Sequence, residues 1–210
     1  SDESFKRRAL NKLSLSKQAN VINKTVNTNK SKENDFISFN LNSYQKITLI
    51  RLKNGHSSLE NEKLGAKFYN YIKSNLILNS TFFENNIKET NIKNKYFLDE
   101  FFHGMNLRSY EFNKYKTKNK EKEFKINVLS KNKYFENNKT KRFMSLLEGT
   151  NLTKDLVSEP GNILHPNEYA KRLTELRKFG LKITVYDKKK LKKLGMNALL
   201  GVGQGSVKGS

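Results

Sequence analysis

Three side-chain types can ligate a metal or move a proton near neutral pH: histidine, cysteine and the carboxylates. This chain has three histidines, His56, His103 and His165, and no cysteine at all. No His stands at metal-ligand spacing from another His, so the helical His-x-x-x-His type of zinc site is absent. Without cysteine there is no disulfide, no thiolate ligand and no nucleophilic thiol, which fits a reducing compartment. His103 lies in the aromatic-rich run FLDEFFHGM, where a packed ring is the simpler reading than a ligand. The glycine run GVGQGS (201–206) invites a dinucleotide reading. That fingerprint needs a following helix and a downstream acid, and the preferred reading here is a turn with close backbone approach. No catalytic, cofactor-binding or metal-binding residue is assigned within this chain.

The elements around these residues must come from a polar chain. Of 210 residues, 35% are hydrophobic, but fourteen Phe and nine Tyr supply large buried areas per side chain. No apolar run is long enough to cross a membrane. The N-terminal SDESFKRRAL has neither an initiator Met nor a signal-type apolar core, and the chain is read as a piece of a longer one. The formal charge is +21, carried mostly by Lys, which accompanies abundant Asn, Ile, Phe and Tyr. A solvated, lysine-rich surface accounts for that set better than a nucleic-acid face, which would favour the Arg fork. A basic nucleic-acid-binding module remains the rival from another class, supported by the interleaved YEFNKYKTKNK.

Periodicity lays out an alternation of strands and helices. SFKRRALNKL reads as a short helix, and the polar stretch through residue 34 as loop or edge structure. DFISFNL (35–41) and KITLIRL (46–52) read as strands. Ser57 or Ser58 caps a helix whose stripe is Leu64, Phe68, Tyr71 and Ile72. A short strand lies around STFFEN, a helix follows with Phe97, Phe101 and Met105 on one side, and FKINVLS (124–130) is a strand. A long helix from Thr140 to Glu159 carries Phe143, Leu146, Leu147, Leu152 and Leu156. A second runs from Pro166 to Phe179 with Tyr169, Leu173 and Leu176 inward. GLKITVYD is a strand, KKKLKK a short helix with Leu191 and Leu194 inward, stopped by Gly195, and ALLGVGQGS a strand entering a turn. The class is α/β with mainly parallel sheets.

The only two prolines, Pro160 and Pro166, bracket a corner between helices. Pro160 cannot continue the first helix, Gly161 suits a left-handed turn, and Pro166 suits the first position of the second helix. Glu168 sits where a carboxylate can reach back toward the cap.

The run NLTKDLVSEPGNILHPNEYAKRL…GLKITVYDKKKLKKLGMNALLGVGQGS resembles the leucyl aminopeptidase family (cytosol aminopeptidase, peptidase M17). Its Asn-x-x-Arg-Asp-Leu-x-Asn-Glu-Pro-x-Asn signature finds Asn151, Asp155, Leu156, Glu159, Pro160 and Asn162 in register. Pro166, Leu194, Gly195, Met196, Gly203, Gly205 and Ser206 follow its later pattern. Lys154 replaces the usual Arg, Ser158 the usual Asn, and His165 the Thr that caps the next helix. His165 should therefore cap more weakly, by under roughly 1 kcal/mol. The stretch from Glu100 to Lys120 is similar to the helix preceding the family's linker.

The resemblance implies an N-terminal three-layer, macro-domain-like domain over 1–138, a linker helix over 139–160 and the truncated start of a peptidase domain over 161–210. It implies an intact cytoplasmic hydrolase that removes N-terminal residues from peptides with two divalent ions, manganese or zinc, as a homo-hexamer. The family's metal-binding motifs do not occur in this sequence. The chain alone is therefore expected to be inactive, with roles in assembly and active-site access. A peptidase-like scaffold without metals is a further alternative.

Overall fold

The computed structural model describes residues 19–28, 35–52, 55–83, 96–117, 123–129 and 138–205. The expected helix SFKRRALNKL and Ser206 of the signature lie outside them. The chain divides into two compact units, Ser1–Gly149 and Thr150–Ser210.

In the first unit, helix α1 (Ala19–Thr28) occupies a stretch whose sequence reads as loop. The correction has a tertiary cause. Ile22 is fully buried, and burying one large aliphatic side chain outweighs the weak helix preference of an Asn- and Thr-rich run. Thr25 and Thr28 turn their hydroxyls back onto the carbonyls of Val21 and Lys24, so they add no unsatisfied groups.

Strands β1 (Phe36–Asn40) and β2 (Lys46–Ile50) form an antiparallel hairpin, from Phe36 opposite Ile50 to Asn40 opposite Lys46. Asn42 makes the turn, its Oδ1 accepting from the N–H groups of Tyr44 and Gln45 at 2.9 and 2.8 Å. β3 (Asn79–Phe83) and β4 (Lys125–Leu129) pair in parallel. The helix of residues 97–109 falls between them in sequence, the arrangement a parallel pair requires. The α/β class holds. Among the described residues, however, one strand pair is parallel and one antiparallel, because the five-residue connection at 41–45 is too short for a crossover.

Helix α2 (Ser58–Ser74) starts on a full capping box. The Glu60 N–H donates to Ser57 Oγ at 3.3 Å, and the Ser57 N–H donates to Glu60 Oε2 at 2.8 Å. These bonds from Ser57, first the backbone one, hold the Glu60 carboxyl below its ordinary value. Helix α3 (Phe97–Ser109) packs on α2, and the core is centred on this pair: Leu64, Phe68, Tyr69 and Ile72 against Phe97, Leu98 and Phe101. Phe36 of β1 stacks on Phe68 with centroids 5.6 Å apart, and Phe82 of β3 on Phe101 at 5.5 Å. Both strand pairs are thus tied to the same two helices.

The α2–α3 contact is made at backbone distance. A Cβ on Gly65 would lie 1.8 Å from the Phe101 carbonyl oxygen, and one on Gly104 2.0 Å from that of Glu62. Only glycine fits at either place. One buried carboxylate bridges the helices: Glu100 accepts from Ser58 Oγ and Asn61 Nδ2, each at 2.8 Å.

Helix α4 (Asn138–Ser158) spans the division between the units and has no fully buried residue. Phe143 and Leu147 are half-buried, whereas Leu146 and Leu152, expected on the inner stripe, are exposed.

In the second unit, the expected helix 166–179 has two parts: α5 (Pro166–Thr174), then a 3₁₀ segment (Glu175–Phe179) ending on Gly180 with φ +83°. α6 (Lys188–Lys193) starts on Asp187, whose Oδ1 accepts from the Lys190 N–H at 2.8 Å. It stops at Gly195, φ +72°, as expected. Residues 181–187 lie in no sheet, since no other strand of this unit is present among the described residues to supply a ladder. The final expected strand is instead helix α7 (Asn197–Gly203). Ala198, Leu199 and Leu200 are good helix formers, and a helix satisfies its backbone without a neighbour. Tyr169 and Leu194, expected to face inward, are exposed.

Candidate functional site

Two places gather polar side chains under cover. One is the proline corner, the other a small hollow between α3 and the start of α4.

At the corner, Pro160 ends α4 as its ring demands, and its carbonyl accepts from the N–H groups of Ile163 and Leu164, both at 2.9 Å. This double closure makes the turn without any left-handed residue. Gly161 is not in the positive-φ region, contrary to expectation, and a Cβ there would meet nothing. Pro166 occupies the first turn of α5 as expected, and the His165 carbonyl accepts from the Tyr169 N–H. The His165 ring gives no cap hydrogen bond, and its Nδ1 has no hydrogen-bond partner among the described residues. Loss of the hydroxyl found in the family pattern therefore leaves the cap side-chain-free.

Glu159 is the centre of the corner. Its side chain is 1% exposed, and its Oε1 accepts from Arg172 Nη1 at 2.9 Å. The same guanidinium donates through Nε to Glu168 Oε1 at 3.0 Å, one helical turn away on α5. One planar fork thus holds a signature carboxylate at the end of α4 and a first-turn carboxylate of α5. The hydrogen bond from Arg172 pulls the Glu168 carboxyl below its ordinary value, and the two carboxylates, Glu159 foremost, push the guanidinium higher. Sequence reading missed Arg172. The i, i+4 spacing of Glu168 and Arg172 was the available signal.

Of the remaining signature residues, Asn151 lies on α4 with its Oδ1 covered and without a partner, and Asp155 is exposed on the same helix. Its carbonyl accepts from the Glu159 N–H at 3.0 Å. Leu194, Gly195 and Met196 form the turn after α6, where the N–H groups of Gly195 and Met196 donate to the carbonyls of Lys192 and Leu191.

In the hollow, His103 is buried with its ring 4.7 Å from that of Phe143, and Asp99 Oδ1 accepts from Thr140 Oγ1 at 2.6 Å. Asp99 and His103 are two donors without a third. Among the described residues no group of three or more His, Asp and Glu could hold a metal ion. Nor does Glu159, committed to Arg172, offer a free carboxylate. The donors among the described residues do not fit a metal ion.

The described part of the second unit is therefore a helix junction made by Pro160 and clamped by the Arg172 ion pairs. Its match to known proteins is specific. Residues 151–210 match the cytosol aminopeptidase family, catalytic domain. A "Probable cytosol aminopeptidase" of Phytoplasma australiense is 46% identical over 106 residues, covering 49% of this chain and 21% of that protein. Another, of a Bradyrhizobium species, is 41% identical over 111 residues, 51% of this chain and 22% of that protein. A solved structure of a mutant tomato leucine aminopeptidase superposes with a TM-score of 0.62 at 20% identity, covering 92% of this chain and 40% of that one. The bottromycin maturation enzyme BotP, in complex with Mn, also gives 0.62, at 18% identity over 82% of this chain and 36% of its own. At these identities the structures establish the fold, which is α/β. These matches support the leucyl aminopeptidase family, peptidase M17, over part of the chain. It spans about a fifth of the length of the curated relatives it matches. No helix among the described residues is long and apolar enough to cross a membrane.

Proposed function

We propose that the chain is part of a leucyl-aminopeptidase-type hydrolase that removes N-terminal residues from peptides by two-metal hydrolysis, with manganese or zinc. The observation that carries this reading is the corner itself. The family's Glu159-Pro160 pair is built as a clamped helix junction inside the stretch that matches the catalytic domain. Residues 1–138 act as the N-terminal α/β domain, 139–160 as the linker helix and 161–210 as the start of the peptidase domain. The metal ligands belong to the rest of that domain. This chain contributes to assembly of a cytoplasmic homo-hexamer and to access to its active sites, and by itself it does not turn over substrate.

Two assays test the reading. The purified chain should give no turnover of a leucine anilide with added manganese, and clear metal-dependent hydrolysis would sink the view that catalysis lies elsewhere. In the second, residues 151–205 replace the matching stretch of the Phytoplasma australiense relative. The chimaera should retain metal-dependent aminopeptidase activity if the family reading holds, and a folded but inactive chimaera would count against it.

A further inference from the structure

We propose that His103 is a pH-sensitive latch: its protonation releases the first half of α4 from α3. α4 has no fully buried residue, so nothing on this helix anchors it by deep burial. Near its start it meets α3 and the residue just before α3 through contacts that include the following. Lys139 Nζ sits 3.7 Å above the Tyr96 ring, Thr140 donates to Asp99, and Phe143 packs on His103. His103 itself is buried, and it shares the hollow with Asp99 of α3 and with Thr140, Phe143, Met144 and Leu147 of α4. A phenylalanine or leucine would fill this place as well. The imidazole differs in one respect, that it can acquire a charge near neutral pH.

Among the described residues, the titratable groups near the ring are Glu62 of α2 and Asp99 of α3. Glu62 of α2 favours the imidazolium. Asp99 of α3 lines the same hollow, but its Oδ1 is engaged by Thr140. α4 presents Thr140, Phe143, Met144 and Leu147, none of which titrates. Burial is the larger influence and pushes the His103 imidazole below its ordinary value of 6.5, with Glu62 pulling the other way. The sign follows. The released state binds the proton more readily than the seated state. Seating is undiminished above the ordinary histidine range and weakens as pH falls from there toward the lowered value.

The test uses the full chain. Hydrogen exchange at the amides of residues 141–149 is measured between pH 7.5 and 5.5 and corrected for intrinsic rates, with His103 titrated by NMR in parallel. The expected result is a severalfold rise in opening of α4 on acidification, α2 and α3 staying protected, and a His103 midpoint below 6.5. His103→Phe should flatten the response. If that variant does not fold, His103→Gln, neutral at every pH, serves the same purpose. Opening that does not change with pH, or rises equally in the variant, or rises in all helices together as global acid unfolding, would overturn the latch. So would a His103 midpoint at or above the ordinary value.

Discussion

The α2–α3 pair and the proline corner hold helices together by opposite means. Between α2 and α3 the helices meet at backbone distance over Gly65 and Gly104, with Phe68, Ile72 and Phe101 buried around the contact. At the corner no apolar side chain is buried. Among the described residues of the second unit Glu159 alone is buried, and the turn is made by a proline, two hydrogen bonds to one carbonyl and a guanidinium fork. The first junction takes its strength from area and close packing, which are insensitive to pH and salt. The second takes it from charge and hydrogen bonding, which set direction well but supply little net free energy. A hydrophobic core defines what is near what. A polar clamp defines at what angle one element leaves another.

The largest way to break the contrast is to put the same methyl group into each junction. Gly104→Ala forces a Cβ into the Glu62 carbonyl, where only backbone can move, and should cost about 3 kcal/mol, the upper end for overpacking. Gly161→Ala meets open space at negative φ and should change stability by less than about 0.5 kcal/mol. Urea midpoints of the two variants decide it. Equal effects would mean that α2 and α3 are not in backbone contact, or that the corner is more crowded than described.

A second, smaller effect separates the two by pH. Arg172→Met leaves Glu159 buried without its guanidinium and frees Glu168, so the loss should fall below that of Gly104→Ala but remain measurable. Because Arg172 holds the Glu168 carboxyl below 4.5, the contribution of this pair is complete above that value and disappears only as pH falls through the lowered one. In the variant the Glu168 carboxyl should return toward its ordinary value by NMR titration. A Glu168 midpoint that stays put would show that the fork is not what sets it.

These contrasts also explain what the sequence made legible. Ser57 with Glu60, and Pro160 with Pro166, act through the chain's own next few residues, so their types and spacing reveal them. The hydrophobic stripe of α2 was legible for the same reason, period 3.6 being a local property. Gly65 and Gly104 look like mild weaknesses in two helices, and their purpose appears only when the neighbouring helix is in place. α1 depends on the burial of Ile22, and Arg172 on the distant Glu159, thirteen residues away. At 181–187 and 197–203 the alternation and glycine content suggested strands. A strand is a statement about a partner, and the described residues of that unit hold none for it.

The smallest effect compares one motif in both units. α2 ends with the N–H groups of Leu76 and Ile77 donating to the carbonyls of Lys73 and Ile72, and α6 ends with the same pair of bonds from Gly195 and Met196. Both use a left-handed residue just past the cap, φ +51° at Leu76 and +72° at Gly195. The glycine takes this conformation at no steric cost, whereas leucine does so against its Cβ. Leu76 is also 62% exposed, so its side chain returns little burial for the strain. Leu76→Gly should therefore stabilise the first unit by up to about 1 kcal/mol, and Gly195→Leu should loosen the end of α6 by a similar amount. The first is read from the urea midpoint and the second from exchange at the Met196 amide. Destabilisation by Leu76→Gly would mean that the strained leucine is held by packing, as the rest of that unit is, and that even its helix ends depend on the core.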